Sequence, residues 1–209
     1  MMPPVSSAMS LMNVAARQRM LSQRLVLQTV LAAQGEAKRL QAAQQTLDLF
    51  EQSQTQLVQT ARQMPGEDGH TLRAVYFGSQ GVANVVEGFI RSARTALGDA
   101  AHPTPATTRS LDQLVASVDD ILQALNAATN AFDQISTGKQ ALIMRELKAI
   151  VGDIQSVARE AKVVSFNAQV IAARAGAVGR EFSVVATTLS HISTEVDTLA
   201  RKGIALATR

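Results

Sequence analysis

Between Met12 and Leu25 the chain reads MNVAARQRMLSQRL, and its first 35 residues hold Arg17, Arg19 and Arg24 without a single Asp or Glu. Helical spacing puts Met12, Ala15, Arg19, Ser22, Val26, Val30 and Ala33 on one stripe. Leu11, Val14, Gln18, Leu21, Leu25 and Ala32 form the stripe beside it. So broad an apolar or small face predicts a helix mostly covered in the fold. Arg19 is then expected within a covered stripe that has no acid on its own helix. A buried guanidinium needs a counter-charge or well-made hydrogen bonds. Its planar fork suits a flat oxyanion held bidentately. Two readings stay open on the residues alone: an anion site, or an ion pair with an acid from another helix such as Glu87 or Asp48.

Little else offers chemistry. His70, His102 and His191 are widely separated, and the first two fall in expected loops. The absence of cysteine removes disulfides, zinc-thiolate sites and thiol nucleophiles. There is no metal-ligand spacing, no Ser-His-Asp set and no phosphate-cradling glycine loop. No cofactor, no metal and no enzymatic activity are expected. The net charge of +3 is modest, and basic residues are not interleaved with aromatics, so nucleic acid is not an expected partner.

The elements that must position these residues are helices. Apolar residues make up 46% of the chain but aromatics only 3%, which suits long helices packed through small side chains and not a sheet. The fold class read from this is all-α. Pro65 to Gly69 and Gly98 to Pro105 carry loop chemistry, with a softer break at Gly35. Four helices follow, at about Ser7–Ala33, Glu36–Met64, Thr71–Leu97 and from Ser110, where Gln113 completes a capping-box pattern. Leu72, Val75, Ser79, Val82, Val86, Phe89, Ala93 and Ala96 give the third helix a heptad stripe. Leu111, Leu114, Val118, Ile121, Leu125, Ala128, Phe132 and Ile135 do the same for the fourth. These stripes predict an antiparallel four-helix bundle over residues 7–137. Gly78, Gly81 and Gly88 weaken its third helix by up to ~1 kcal/mol each relative to Ala.

After Ser136-Thr137-Gly138 the pattern resumes through Leu147, Ile150 or Val151, Ile154, Val157, Ala161, Val164, Ala168 and Ile171. It stops at Gly176-Ala177-Val178-Gly179 and returns as Phe182, Val185, Leu189, Ile192, Val196, Leu199, Gly203 and Leu206. Two heptad arms about a glycine-bounded turn predict a long antiparallel helical hairpin, a coiled coil, over residues 138–209. One hairpin has few layers to bury such stripes, so a homodimer is the expected completion. The opening MMPPVSSAMS lacks the pattern of a secretory signal, and no stretch is long and apolar enough to cross a bilayer. A soluble, cytoplasmic chain is expected.

Two stretches resemble known families. The run SFNAQVIAARAGAVGREFSVVA, Ser165 to Ala186, resembles the tip of methyl-accepting chemotaxis receptors, where a hairpin bend contacts the chemotaxis kinase and its coupling protein. Asn167, Ala168, Ala172, Ala173, Arg174, Ala175, Gly176, Gly179, Phe182, Val184, Val185 and Ala186 carry the likeness. Ile171 and Ala177 stand where the receptors have glutamates, and Glu181 where they have a later glycine. Those substitutions make the tip greasier and put ordinary packing between dimers and kinase docking in question. No adjacent Glu/Gln pair of the kind receptors methylate lies between Gly138 and Arg209, so adaptive methylation is not expected.

The run N-x-A-x-R-Q-R-M-L-S-Q-R in the first helix resembles the PilJ-type N-terminal domain of type IV pilus chemotaxis transducers and the related signature of nitrate/nitrite sensor kinases. Phe50, Ser53 and Leu57 match that domain's F-x-x-S-x-x-x-L stretch. The resemblance implies that Arg19, the Arg before the Met, binds nitrate or nitrite at a dimer interface. Asn13, Ser22 and Arg24 are neighbouring candidates. Ala16 departs from the usual glycine, and its methyl group crowds the anion's approach. Together the two resemblances imply a chemoreceptor-like sensor that relays anion binding to a hairpin output tip. The alternative is a helical adaptor without a small-molecule ligand, docked on receptor or kinase assemblies.

Overall fold

The computed structural model describes residues 11–102 and 104–207. Every regular element among them is helical: α1 (Leu11–Ala33), α2 (Ala37–Gln63), α3 (Gly66–Phe77), α4 (Val82–Ala101), α5 (Ala106–Ala116), α6 (Val118–Arg174) and α7 (Arg180–Ala207), with a 3-10 turn at Gly176–Gly179. Residues 7–10, expected to open the first helix, lie outside the described residues. The protein is all-α, and the chain forms two compact units, Met1–Thr137 and Gly138–Arg209.

In the first unit four rods run side by side: α1, α2, α3 with α4, and α5 with the opening of α6. The α1–α2 turn follows from Gly35, whose φ of +102° is open to glycine. Its N–H reaches the Ala32 carbonyl at 3.1 Å and the next N–H, of Glu36, reaches Leu31 at 3.2 Å, a Schellman closure of α1. The rods bury Leu25, Phe50, Leu57, Phe89, Leu114 and Leu125 in one core. Phe50 and Phe89 rings stand 5.6 Å apart, and Tyr76 meets Phe132 edge-on at 6.2 Å. Both heptad stripes read from the sequence face this core, apart from exposed Ser79.

Two boundaries differ from expectation. The third helix is not one rod from Thr71 to Leu97; it starts at Gly66 and breaks between Phe77 and Val82. A side chain at Gly78 or Gly81 would run into the carbonyls of Ala74 or Tyr76, so the backbone comes closer there than any other residue allows. The fourth rod begins at Ala106, not Ser110. Thr104 and Thr107 form its entry, with the Thr104 N–H on Thr107 Oγ1 at 2.8 Å, while Ser110 lies inside the helix and donates to the Thr107 carbonyl at 3.0 Å. The capping box is therefore unused, and the rod breaks instead at Ser117. Gly138, where the two units divide, lies inside helix: α6 runs unbroken past it to Arg174.

In the second unit α6 and α7 form a hairpin. Gly176, at φ +63°, makes the bend. Gly179 lets the chain pass against the Ala172 carbonyl, where a Cβ would overlap. The seam between the arms is made of small side chains. Val151, Ala158, Ser165, Ala172, Gly179, Ala186 and Ser193 are buried at seven-residue intervals straight through the turn. Most large residues of the expected stripe, Ile150, Ile154, Val157, Leu189 and Ile192 among them, stay exposed along a trough between the arms.

Burial pushes the phenol of Tyr76, the chain's one tyrosine, well above its ordinary range. A group that ionises only when unfolded removes stability above the unfolded pKa of ~10, by up to ~1.4 kcal/mol per pH unit. Tyrosinate absorbance should therefore stay absent from native protein above that pH and rise together with loss of helical circular dichroism. A second expectation separates two glycines of α4 and its entry: Gly98→Ala, which meets open space, should stabilise by about 0.4–1 kcal/mol, and Gly81→Ala should destabilise, both read from urea unfolding.

Candidate functional site

The MNVAARQRMLSQRL run divides its polar residues between two jobs. Gln18 is wholly buried, and its amide donates to the Phe50 carbonyl of α2 at 3.1 Å. Half-buried Arg17 donates from Nη2 to Ser53 Oγ at 2.9 Å. Further up the same seam the Gln28 amide is best satisfied with its nitrogen toward the Ala42 carbonyl and Thr46 hydroxyl. That turns its oxygen toward Arg24 Nε at 3.1 Å. Ser22 is buried and gives its hydroxyl hydrogen to the Arg19 carbonyl at 2.9 Å. These groups fasten α1 to α2 or to itself.

Arg19 does neither. It is exposed, contrary to the covered stripe expected of it, because α1 turns the stripe of Val14, Gln18, Leu21 and Leu25 into the core. Among the described residues its guanidinium makes one hydrogen bond, Nη1 to Asn126 Oδ1 of α6 at 2.7 Å, and no ion pair. Neither acid considered for it is its partner: Glu87 pairs with Arg91 at 2.9 Å, and Asp48 is exposed on α2. Asn13 is exposed on the same helix and Ala16 half-buried. Helical geometry spreads the four candidates around α1. Arg19 and Arg24, five residues apart, leave the helix in widely different directions. Arg24 points to the α2 seam and Ser22 inward.

Residues that the sequence reading passed over, Arg17 and Gln18, are those that hold α1. A signal for them was present: Arg17 and Gln18 meet Ser53 and Phe50, the two ends of the F-x-x-S stretch. The acid between them, Glu51, pairs with Arg94 of α4 at 2.7 Å. The two short motifs are the two sides of one helix-helix seam.

At the hairpin bend, Arg174 ends α6 and the Ala175 N–H closes onto Ile171 and Ala172 carbonyls at 3.1 and 3.2 Å. Gly179 is buried; Asn167, Ile171, Arg174, Phe182 and Val184 are exposed. Val178 at the apex is 91% exposed. The bend thus presents an apolar surface. Among the described residues no group of acids and histidines is placed to hold a metal ion, and no helix is long and apolar enough to cross a membrane.

Residues 6–78 match the PilJ family model, described as the type IV pili methyl-accepting chemotaxis transducer N-terminal region. The match spans about a third of the chain and ends at Gly78, where α3 breaks. No curated protein and no solved structure matches the chain.

The two jobs predict opposite mutational behaviour. Arg17→Ala and Ser53→Ala should be coupled in a double-mutant cycle by about 0.5–1.5 kcal/mol of unfolding free energy. Arg19→Ala, at the surface, should stay within about 0.5 kcal/mol of wild type.

Proposed function

We infer that the chain is a homodimeric sensor in which Arg19 binds a small planar oxyanion, nitrate or nitrite, across a pair of α1 helices. The observation that carries this reading is the state of Arg19. Exposed Arg19 has a single neutral partner, on α6, while half-buried Arg17 and exposed Arg24 bond to groups of the α1–α2 seam. A guanidinium has five donors, so a second protomer's α1 would meet one with capacity to spare. Exposed Met20 and Leu27 give that outer face apolar area to bury. The PilJ match of residues 6–78 supports the signal-transduction part of this reading.

The hairpin supports the dimer independently. Its internal seam uses up only small side chains, leaving the trough of Ile150, Ile154, Val157, Leu189, Ile192 and Val196 to be covered. Contiguous apolar surface of that kind marks an interface. A second hairpin would complete a four-helix coiled coil, as the heptads require. In this reading anion binding shifts the population between two packings of the dimer. α6, whose Asn126 bonds Arg19 and which continues to the bend, carries the change to the apolar tip. That tip serves as the output surface toward a chemotaxis kinase, coupling protein or receptor, and the location is the cytoplasm.

Thermal unfolding of wild type and Arg19→Ala in nitrate, nitrite and chloride tests the ligand. Nitrate at a hundred times its dissociation constant should stabilise wild type by ~2.7 kcal/mol, and the variant should show no such gain. A wild type that responds to nitrate no more than to chloride sinks the anion reading and leaves the adaptor alternative. Leu189→Glu with Ile192→Glu tests the dimer: light scattering should move from the dimer mass to that of a single chain.

A further inference from the structure

Away from Arg19 and from the bend, the first unit carries an open groove of about 740 Å³ between α4 and α6, closed at one end by the α3–α4 link. Its size falls in the range of small-molecule sites, which in helix bundles form between helices. Val82, Val85 and Phe89 supply an apolar floor. Around it stand the neutral polar groups of Ser79, Asn84 and Gln123. Asp120, in the first turn of α6, is the one ionisable side chain on the walls, and no Lys, Arg or His lines them. Asp120 forms no ion pair among the described residues.

Two features of the backbone bear on this groove. Both interruptions of the bundle's rods, Gly78–Gly81 and Ser117, fall at it. Gly88 lies in the interior of α4, where glycine is the costliest residue after proline. Unlike Gly78 and Gly81, it is not required by any close approach: a Cβ there would meet nothing within 4 Å. Packing therefore does not explain the glycine; what its missing side chain leaves is room in the groove.

We propose that this groove is a binding site for a small amphipathic organic amine, its apolar body against Val82, Val85 and Phe89 over Gly88 and its ammonium group at Asp120. The charge of the walls selects against anions, so this site and the oxyanion site at Arg19 take ligands of opposite sign, and neither depends on the other. Gly88 leaves that access open at the expense of helix stability.

The test uses three probes of one shape, phenethylamine, phenethyl alcohol and phenylacetate, with amide chemical-shift mapping of the full chain. Phenethylamine should shift amides of Val82–Phe89 and Ser117–Ala124 more strongly than the alcohol, and phenylacetate should not shift them. Asp120→Asn should weaken the amine about two- to fivefold, the scale of an exposed charge pair, and leave the alcohol unchanged. Gly88→Leu should abolish the shifts, and the milder Gly88→Ala should raise the unliganded melting temperature by about 2–4 °C while weakening the amine. Equal responses to the three probes would overturn the proposal. So would amine shifts confined to other surfaces, an Asp120→Asn variant with undiminished amine affinity, or a Gly88→Ala variant that melts lower than wild type.

Discussion

The bond from the buried Gln18 amide to the Phe50 carbonyl, 3.1 Å long, is the contact on which the first unit turns. α1 has no acid to pair with its own arginines, so nothing within the helix fixes which way it faces. A buried amide cannot be left unpaired without a cost of about 1–3 kcal/mol, and this one finds its partner at a single register of α1 on α2. Arg17 on Ser53 and Gln28 on Thr46 repeat the same register below and above it. Once that register is set, Leu21 and Leu25 must enter the core and Arg19 must leave it. The exposure of Arg19 is thus a consequence of where its neighbours bond.

The seam is not fully satisfied. Gln18 Oε1, Arg17 Nε and both amide atoms of Gln54 are buried with no hydrogen-bond partner among the described residues. An apolar seam of the same shape would avoid those losses, so the polar one is better understood as specifying register than as adding stability. That is consistent with a helix whose outer face has to be held in one orientation.

The sequence revealed periods more clearly than directions. The heptads of the bundle rods were legible because Leu114, Ile121, Leu125, Val86 and Phe89 are large, and large apolar residues at helical spacing have to be covered. In α1 two adjacent stripes had similar character, and counting apolar side chains could not rank them. What ranks them is a hydrogen bond to a carbonyl on another helix, which leaves no periodic mark. In the hairpin the conspicuous stripe of Ile, Val and Leu is not the seam between the arms. Ala158, Ser165, Ala172, Gly179, Ala186 and Ser193 are, because small side chains permit the closest approach of two helices. The helix breaks were partly legible. Gly78 and Gly81 stood out as weak points, yet Gly88 looked equally weak and Gly138 looked like a boundary, and both lie inside unbroken helix. The difference is local: a carbonyl four or five residues back lies against each glycine of the first pair, and open space surrounds those of the second.

The hairpin and the bundle solve opposite problems with the same amino acids. In the bundle, large residues face inward and polar atoms set the register, so a single chain can bury its core. In the hairpin, small residues face inward, and the area they bury is modest because an alanine or serine side chain contributes little apolar surface. Most of the apolar area of Ile150, Ile154, Val157, Leu189 and Ile192 remains outside the pair. The stabilisation of the arms is therefore deferred to whatever covers that trough, whereas the register of the arms on each other is set within the chain by Gly179 and the seven-residue row through the bend. Register and buried apolar area are thus set by different residues of the same arms: the small row fixes the alignment, and the large stripe keeps most of its apolar surface outside the pair.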